Sequence, residues 1–213
     1  MNVVPTKSHS LVLWICLGAA AVALPTWAGA QMPQPVAAAE LNSILINAGV
    51  PTAGSITADV TIVEYFDYNC PFCKALAPDF RTLLATDRGV AVIYKEWPIF
   101  GGVSVYAAQA ALATQFQGKY LQSHQALLSA PRLAQTGQVD DVLRRSGIDM
   151  SKLKNDLLNH RAAIDALLAR NQAEALALKL RGTPGILVGR TIAPGITDLK
   201  GLQTAVGLAR RNQ

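Results

Sequence analysis

In the stretch "VEYFDYNCPFCKALAPDF", Cys70 and Cys73 stand three positions apart, directly after a run of strand-forming residues. Two thiols at that spacing can ligate a metal, staple the chain or exchange electrons with another thiol pair. The chain has three cysteines, and the third, Cys16, falls in an apolar leader, so the pair is isolated. A closed zinc site needs four ligands. His124 and His160 are far apart in sequence and show no ligand spacing to anything. No metal site is predicted, and both histidines are assigned to surface or capping positions. A staple closing so short a loop would constrain the unfolded chain little. Redox exchange fits the position better.

The physical reason lies in the residue next to the first cysteine. Pro71 is favoured in the first turn of a helix, which places Cys70 at a helix N-terminus. Unpaired backbone N–H groups and the helix dipole stabilise an anionic sulfur there, lowering the thiol below its free value of about 8.5. Cys70 is the expected attacking atom. Cys73, one turn along, is placed to displace whatever Cys70 captures. The Pro71-Phe72 spacer leaves few polar groups near the sulfur and lets N–H groups point at it. No cofactor is needed beyond the redox-active Cys70–Cys73 disulfide itself.

Three further positions bear on the site. Thr183-Pro184 opens a strand, where proline is otherwise unwelcome; a cis peptide there would leave the Thr183 backbone free to pair with an extended chain, and an ordinary loop proline is the alternative. Glu64 stands in the middle of an apolar strand. It is either a buried carboxyl that relays the proton of Cys73, its pKa raised unless Lys95 pairs with it, or an exposed residue at a sheet edge.

The surrounding pattern supplies the scaffold. "DVTIVEYF", residues 59–66, reads as a buried strand; residues 71–87 as a helix kinked at Pro78; and "VAVIYKEW", residues 90–97, as a second strand. Together they form a βαβ unit, parallel and right-handed. Residues 104–181 show helical spacing throughout, giving four or five helices without a strand. Ile186–Val188 and Thr191–Ala193 then form a hairpin, and a helix over 197–210 closes the chain. Before the first strand come a tether from Gln31, a short helix within "VAAAELNSILINAG" and a turn-rich connector over 51–57. The expected fold is α/β: a mixed sheet flanked by helices, with core segments 59–103 and 182–213 and an all-helical insertion over 104–181.

Residues 1–30 read as a cleaved signal peptide, with "LVLWICLGAAAVAL" as its apolar stretch and Ala28-Gly29-Ala30 as the cleavage site. Export would carry the cysteines to a compartment where disulfides persist. With 51% hydrophobic and 15% charged residues, the chain is a folding globule. Its formal net charge of +5 is scattered, with nothing denser than the adjacent pairs Arg144-Arg145 and Arg210-Arg211, so a solvated surface rather than nucleic-acid binding is expected.

Taken together, "TIVEYFDYNCPFCK", "VIYKEWPIFGGVSVYAAQAALA", "QGKYLQSHQALL" and "GTPGILVG" resemble, in order and spacing, the DsbA-like family of exported thiol:disulfide oxidoreductases, in the thioredoxin-fold superfamily, and within it the Com1/ScsC-like branch. The resemblance covers roughly residues 60–195. It implies a thioredoxin-like core interrupted by a helical domain, Cys70 as exposed nucleophile, Cys73 as buried resolving thiol, and Thr183 before a cis-Pro184. It places the family's acid at Glu64, with Lys95 as a further supporting residue. It implies a periplasmic enzyme acting on exported proteins with thiols or disulfides and served by a membrane redox partner. Relatives with long N-terminal regions oligomerise and isomerise disulfides; with about 25 residues before this core, a monomeric oxidase is expected. An N-terminal stub pairing two chains through Leu41, Ile44 and Leu45 is the alternative. The competing functions are an isomerase or reductase, and a chaperone or copper-binding module without turnover.

Overall fold

The computed structural model describes Met1, residues 34–45 and residues 49–212. The apolar leader with Cys16, the expected cleavage site and most of the tether lie outside these residues. No helix among the described residues is long and apolar enough to cross a membrane.

The described residues form a six-stranded mixed sheet with helices on both faces. Its central strand is β3 (Val60–Phe66), in which only Thr61 is half-exposed. A β-branched and aromatic run of this kind suits a strand covered on both sides. β3 leads through α2 (Pro71–Thr86) into the fully buried β4 (Val90–Glu96), which lies parallel to it. Pro78 lies inside α2 and does not end it. On the other side of β3 runs the antiparallel β5 (Gly185–Val188), which turns at Gly189-Arg190 into β6 (Thr191–Ile192).

Two edge strands come from segments that the sequence pattern assigned to tether and connector. β1 (Gln34–Pro35) pairs with β6, and β2 (Thr52–Gly54) pairs antiparallel with β4. Both are too short to show alternation. Gly54 marks the second one: at φ 96° it passes so close to β4 that a Cβ would lie 2.4 Å from the Val90 carbonyl oxygen.

After β4 come α3 (Gly102–Ala113), a 3-10 turn at Thr114–Gln117, α4 (Tyr120–Ser129), α5 (Thr136–Arg145), α6 (Met150–Asn159) and α7 (Arg161–Ala177), with no strand among them. The alanine-rich α3 is almost wholly buried, and its small side chains let α4, α5, α6 and α7 pack against it. α8 (Leu199–Arg211), capped by Asp198, closes the chain. Its Arg210 is no idle surface cation: it bonds both Asp59 and Asp87, joining α8 to the start of β3 and the end of α2.

The sheet separates two cores. Ile62, Phe66, Val92 and Tyr94 pack toward α2, α4 and α8, whereas Val63, Tyr65, Ile93 and Leu187 pack toward α7 and the N-terminal helix α1 (Ala38–Leu45). Leu41 and Ile44 of α1 are buried in this second core. They are spent within the chain, which corrects the reading that they pair two copies. The alternation of strand side chains decides which core each residue enters.

Candidate active site

Between β3 and α2 lies the turn Asp67-Tyr68-Asn69, organised by the buried Asp67. One carboxylate oxygen accepts from the Asn69 N–H and the Ser104 hydroxyl, each at 2.7 Å. The other accepts from the Ile99 and Phe100 N–H groups at 2.6 and 3.0 Å. An aspartate suits such a turn because its short side chain bonds backbone N–H groups nearby. Here it also fixes the loop after β4 and the start of α3. The Asn69 side chain bonds Leu133 through both its carbonyl, at 2.9 Å, and its amide, at 3.0 Å. Lys74 donates to the carbonyls of Leu127 and Ala130 at the end of α4, and burial brings its ammonium down to about 8.

Cys70 is the N-cap residue of α2, with extended backbone and Pro71 beginning the helix. Its thiol donates to the Thr183 carbonyl at 3.1 Å, across 113 positions of sequence, and the Thr183–Pro184 peptide is cis. The residue is only 1% exposed, so the nucleophile that was expected at the surface lies under cover, against the Thr183 backbone. What stands in solvent around it is apolar: Phe72 at 68%, Ile99 at 44% and Phe100 at 43% exposure.

The two thiols are driven apart electrostatically. A hydrogen bond from Cys73, reinforced by the N–H groups of Cys73 and Phe72, holds the Cys70 thiol down at about 6 against the cost of burial. Cys73 is fully buried, and desolvation, its bond to Cys70 and the charge of Glu64 push its thiol well up. Glu64 faces the same core from mid-strand. It is 1% exposed, so the reading of an exposed edge residue is excluded. Burial, then the nearby Cys70, raises its carboxyl to about 8, and its Oε1 has no hydrogen-bond partner. A cleft of about 50 Å³ lined by Glu64, Tyr94, His124, Arg81, Gln125 and Ser129 has room for a water.

The model of the family described as "DSBA-like thioredoxin domain" matches residues 61–207. The chain belongs to that family. Its structure is similar to that of a thioredoxin-like oxidoreductase from Silicibacter pomeroyi, with 36% identity and a TM-score of 0.75 over 80% of this chain and 97% of that one. It is also similar to the thiol-disulfide exchange protein alpha-DsbA2 of Wolbachia pipientis, with 27% identity and a TM-score of 0.74 over 80% and 91%. For the catalytic domain of Proteus mirabilis ScsC the identity is 27% and the TM-score 0.68, over 81% and 95%. Among curated proteins, the Na(+)/H(+) antiporters NhaA 3 of Salinispora tropica and NhaA 1 of Salinispora arenicola are each 28% identical over 156 residues, covering 72% of this chain. The chain spans about a quarter of the length of these curated relatives, 24% of each.

Within this DSBA-like domain the residues singled out from sequence do not all meet. Cys70, Pro71, Phe72, Cys73, Glu64, Thr183 and Pro184 converge at the start of α2. Lys95 does not. It lies opposite Tyr65 in the register, one step from the Glu64–Tyr94 pair, so its side chain enters the other core and bonds Glu174 at 2.5 Å. It therefore neither pairs with Glu64 nor supports the cysteines.

The DSBA-like site also has parts that sequence reasoning missed. His124 is buried, not a surface or capping residue, with its ring among those of Phe66, Tyr68, Tyr94 and Tyr120; burial lowers it to about 3 and keeps it neutral. Tyr120 donates to buried Glu96 at 2.6 Å, and Tyr68 shares a hydrogen bond with His124 Nδ1 at 3.3 Å. The spacing of Tyr120 and His124, four apart on one helix face, is the sequence signal that could have raised this cluster. For Asp67 and Asn69 the signal is the Asx-type turn that they flank. His160 does sit at a helix junction, between α6 and α7, stacked on Phe116.

Proposed function

We propose that the protein is a periplasmic thiol:disulfide oxidoreductase that donates disulfides to exported proteins through Cys70 and Cys73. A client thiolate attacks the Cys70 sulfur of the oxidised pair. The Cys70–Cys73 bond breaks, a mixed disulfide forms, and Cys73 leaves as a thiolate that takes the proton of Glu64. A second client thiol, losing its proton to solvent, attacks the client sulfur of the mixed disulfide and Cys70 leaves as a thiolate. The client gains one disulfide and the pair gains its two electrons, which an oxidising membrane partner removes.

The observation that carries this reading is the contrast between the two sulfurs. Cys70 is held at about 6 at a helix start, whereas Cys73 is pushed up. A stabilised Cys70 thiolate favours the reduced form and makes the pair a better oxidant and a better leaving group. The equilibrium constant of the purified protein against a glutathione buffer tests the direction. A pair more oxidising than glutathione, with exchange abolished by Cys70→Ser, is the expected result. Full reactivation of a scrambled substrate by the protein alone would instead establish an isomerase. The exposed apolar Phe72, in the first turn of α2, and Ile99 and Phe100, on the loop that Asp67 fixes, give a chaperone reading its one support; protection of clients that persists in Cys70→Ser would establish it.

A further inference from the structure

Beside Pro184 a groove of about 530 Å³ opens along β5 and β6. Val36, Leu178 and Ile192 give it an apolar lining, and the exposed Lys179 and Arg181 stand at its rim. Among the described residues Glu40 is the only acid that lines it. Neither cation forms an ion pair among the described residues.

Lys179 occupies an unusual backbone position. It follows the end of α7 at φ 56°, the one non-glycine residue with positive φ among those described. The Leu180 N–H bonds the Ala175 carbonyl and the Lys179 N–H bonds that of Leu176, each at 3.0 Å. In this helix-ending turn the left-handed position favours glycine, because a Cβ there crowds the following carbonyl. A lysine held in that strained position puts a charge where the fold alone would place none, and such outliers mark functional positions. The turn is also rigidly attached to the site. Leu180 packs against Gly185 so closely that a Cβ on the glycine would lie 2.6 Å from Leu180 Cδ1, and Gly185 follows Pro184.

Resting on the exchange reading above, we infer that this groove selects client chains bearing acidic residues near the cysteine that reacts with Cys70, with Lys179 and Arg181 as the selecting cations. A client caught at Cys70 lies against the Thr183 carbonyl, so one of its flanks passes Pro184 into the groove. Carboxylates on that flank meet two unneutralised cations over an apolar floor. Each such pair is exposed and therefore individually weak, so the selection is a modest one and is screened by salt.

The test uses the oxidised protein and three dithiol peptides alike except for four residues beside one cysteine: glutamates before it, glutamates after it, or glutamines throughout. One acidic peptide is expected to be oxidised about fivefold faster than the neutral one at low ionic strength, with the ratio falling as salt is added. In the variant Lys179→Gly/Arg181→Gln the ratio falls to about one, while the melting temperature holds because glycine relieves the left-handed turn. The exposed control Lys154→Gln keeps the wild-type ratio. Equal rates for all three peptides, or a ratio that survives the double substitution, would overturn the inference. Absence of exchange with every peptide would instead overturn the assignment of Cys70 and Cys73 on which it rests.

Discussion

Lys95 and Glu174 form an ion pair at 2.5 Å beneath the face of the sheet that turns away from the cysteines. The Tyr65 hydroxyl donates to the same carboxylate oxygen at 3.0 Å, and the lysine ammonium lies 5.8 Å from the Tyr65 ring centroid. Lys95 is completely buried, and burial lowers its ammonium from the usual range, opposed by Glu174. α7 is thus fastened to β4 by a desolvated charge pair, while Glu64, one residue from Tyr65, faces the reactive core.

Lys95→Met therefore affects stability and not the thiols. Removing one partner of a buried pair leaves the other charge desolvated, at a cost of about 3 kcal/mol, or roughly 6 to 12 °C in melting temperature for a domain of this size. The Cys70 titration, followed by the ultraviolet absorbance of its thiolate, stays near 6. A midpoint that moves with this substitution would return Lys95 to the active site.

Cys73→Ala raises the Cys70 midpoint. The Cys73 thiol is the foremost group holding Cys70 down at about 6, and a hydrogen bond to a charged acceptor contributes about 1.5 to 3 kcal/mol. Since 1.36 kcal/mol equals one pH unit, the midpoint is expected in the range of about 7 to 8. Given a client disulfide, the same variant forms a mixed disulfide at Cys70 that outlasts the wild-type one, because only the client's own second thiol is left to displace it. An unchanged midpoint would assign the lowered value to the helix start alone.

How much of this was legible in the sequence depends on how local the cause is. β3 and the beginning of α2 could be read because a β-branched run and a proline after Cys70 act on their own neighbours. β1 and β2 could not, since two or three residues acquire strand geometry only from a partner already in place. The opposed facing of Glu64 and Lys95 hangs on the register Glu64–Tyr94, a long-range pairing invisible along the chain. The partner of Lys95 is 79 residues away on α7. His124 looked like a surface residue because a single polar side chain on a helix does not announce that aromatic rings will close round it. The resemblance to a family located Cys70 and Thr183 together, yet did not foresee that Cys70 would be covered.

Tyr120→Phe tests the buried cluster behind the site. Glu96 is 1% exposed and burial raises its carboxyl to about 8, partly offset by the Tyr120 hydroxyl at 2.6 Å; its Oε2 has no partner. Deleting the hydroxyl leaves a buried acceptor unsatisfied, at about 1 to 3 kcal/mol. Thermal unfolding should show a decrease of roughly 2 to 12 °C. Adding Glu96→Gln to Tyr120→Phe should cost less than the two single changes taken together, because the residues are in contact. Fully additive losses would show that the pair acts independently.

Glu64→Gln separates a proton role from a packing role by its pH dependence. The Glu64 carboxyl ionises near 4.5 when unfolded and at about 8 when folded, so between those values the native state holds a proton that the unfolded chain has released. Stability contributed by this group is full below pH 4.5 and is lost as pH rises toward 8. The reduced Cys70 has the opposite sign: its value falls from 9.0 to about 6 on folding, so its contribution is present above pH 9 and is lost as pH falls through 6. Comparing wild type and Glu64→Gln in the oxidised form, which has no thiol to titrate, removes the cysteines from the measurement. The variant's relative stability should then rise by a few kcal/mol between pH 4.5 and 8 and level off above. If Glu64 protonates the departing Cys73, client oxidation by the variant is also slowed, by about tenfold or more, and the deficit shrinks above pH 8, where wild-type Glu64 has itself lost the proton. A deficit of the same size on both sides of pH 8 would reduce Glu64 to a packing residue.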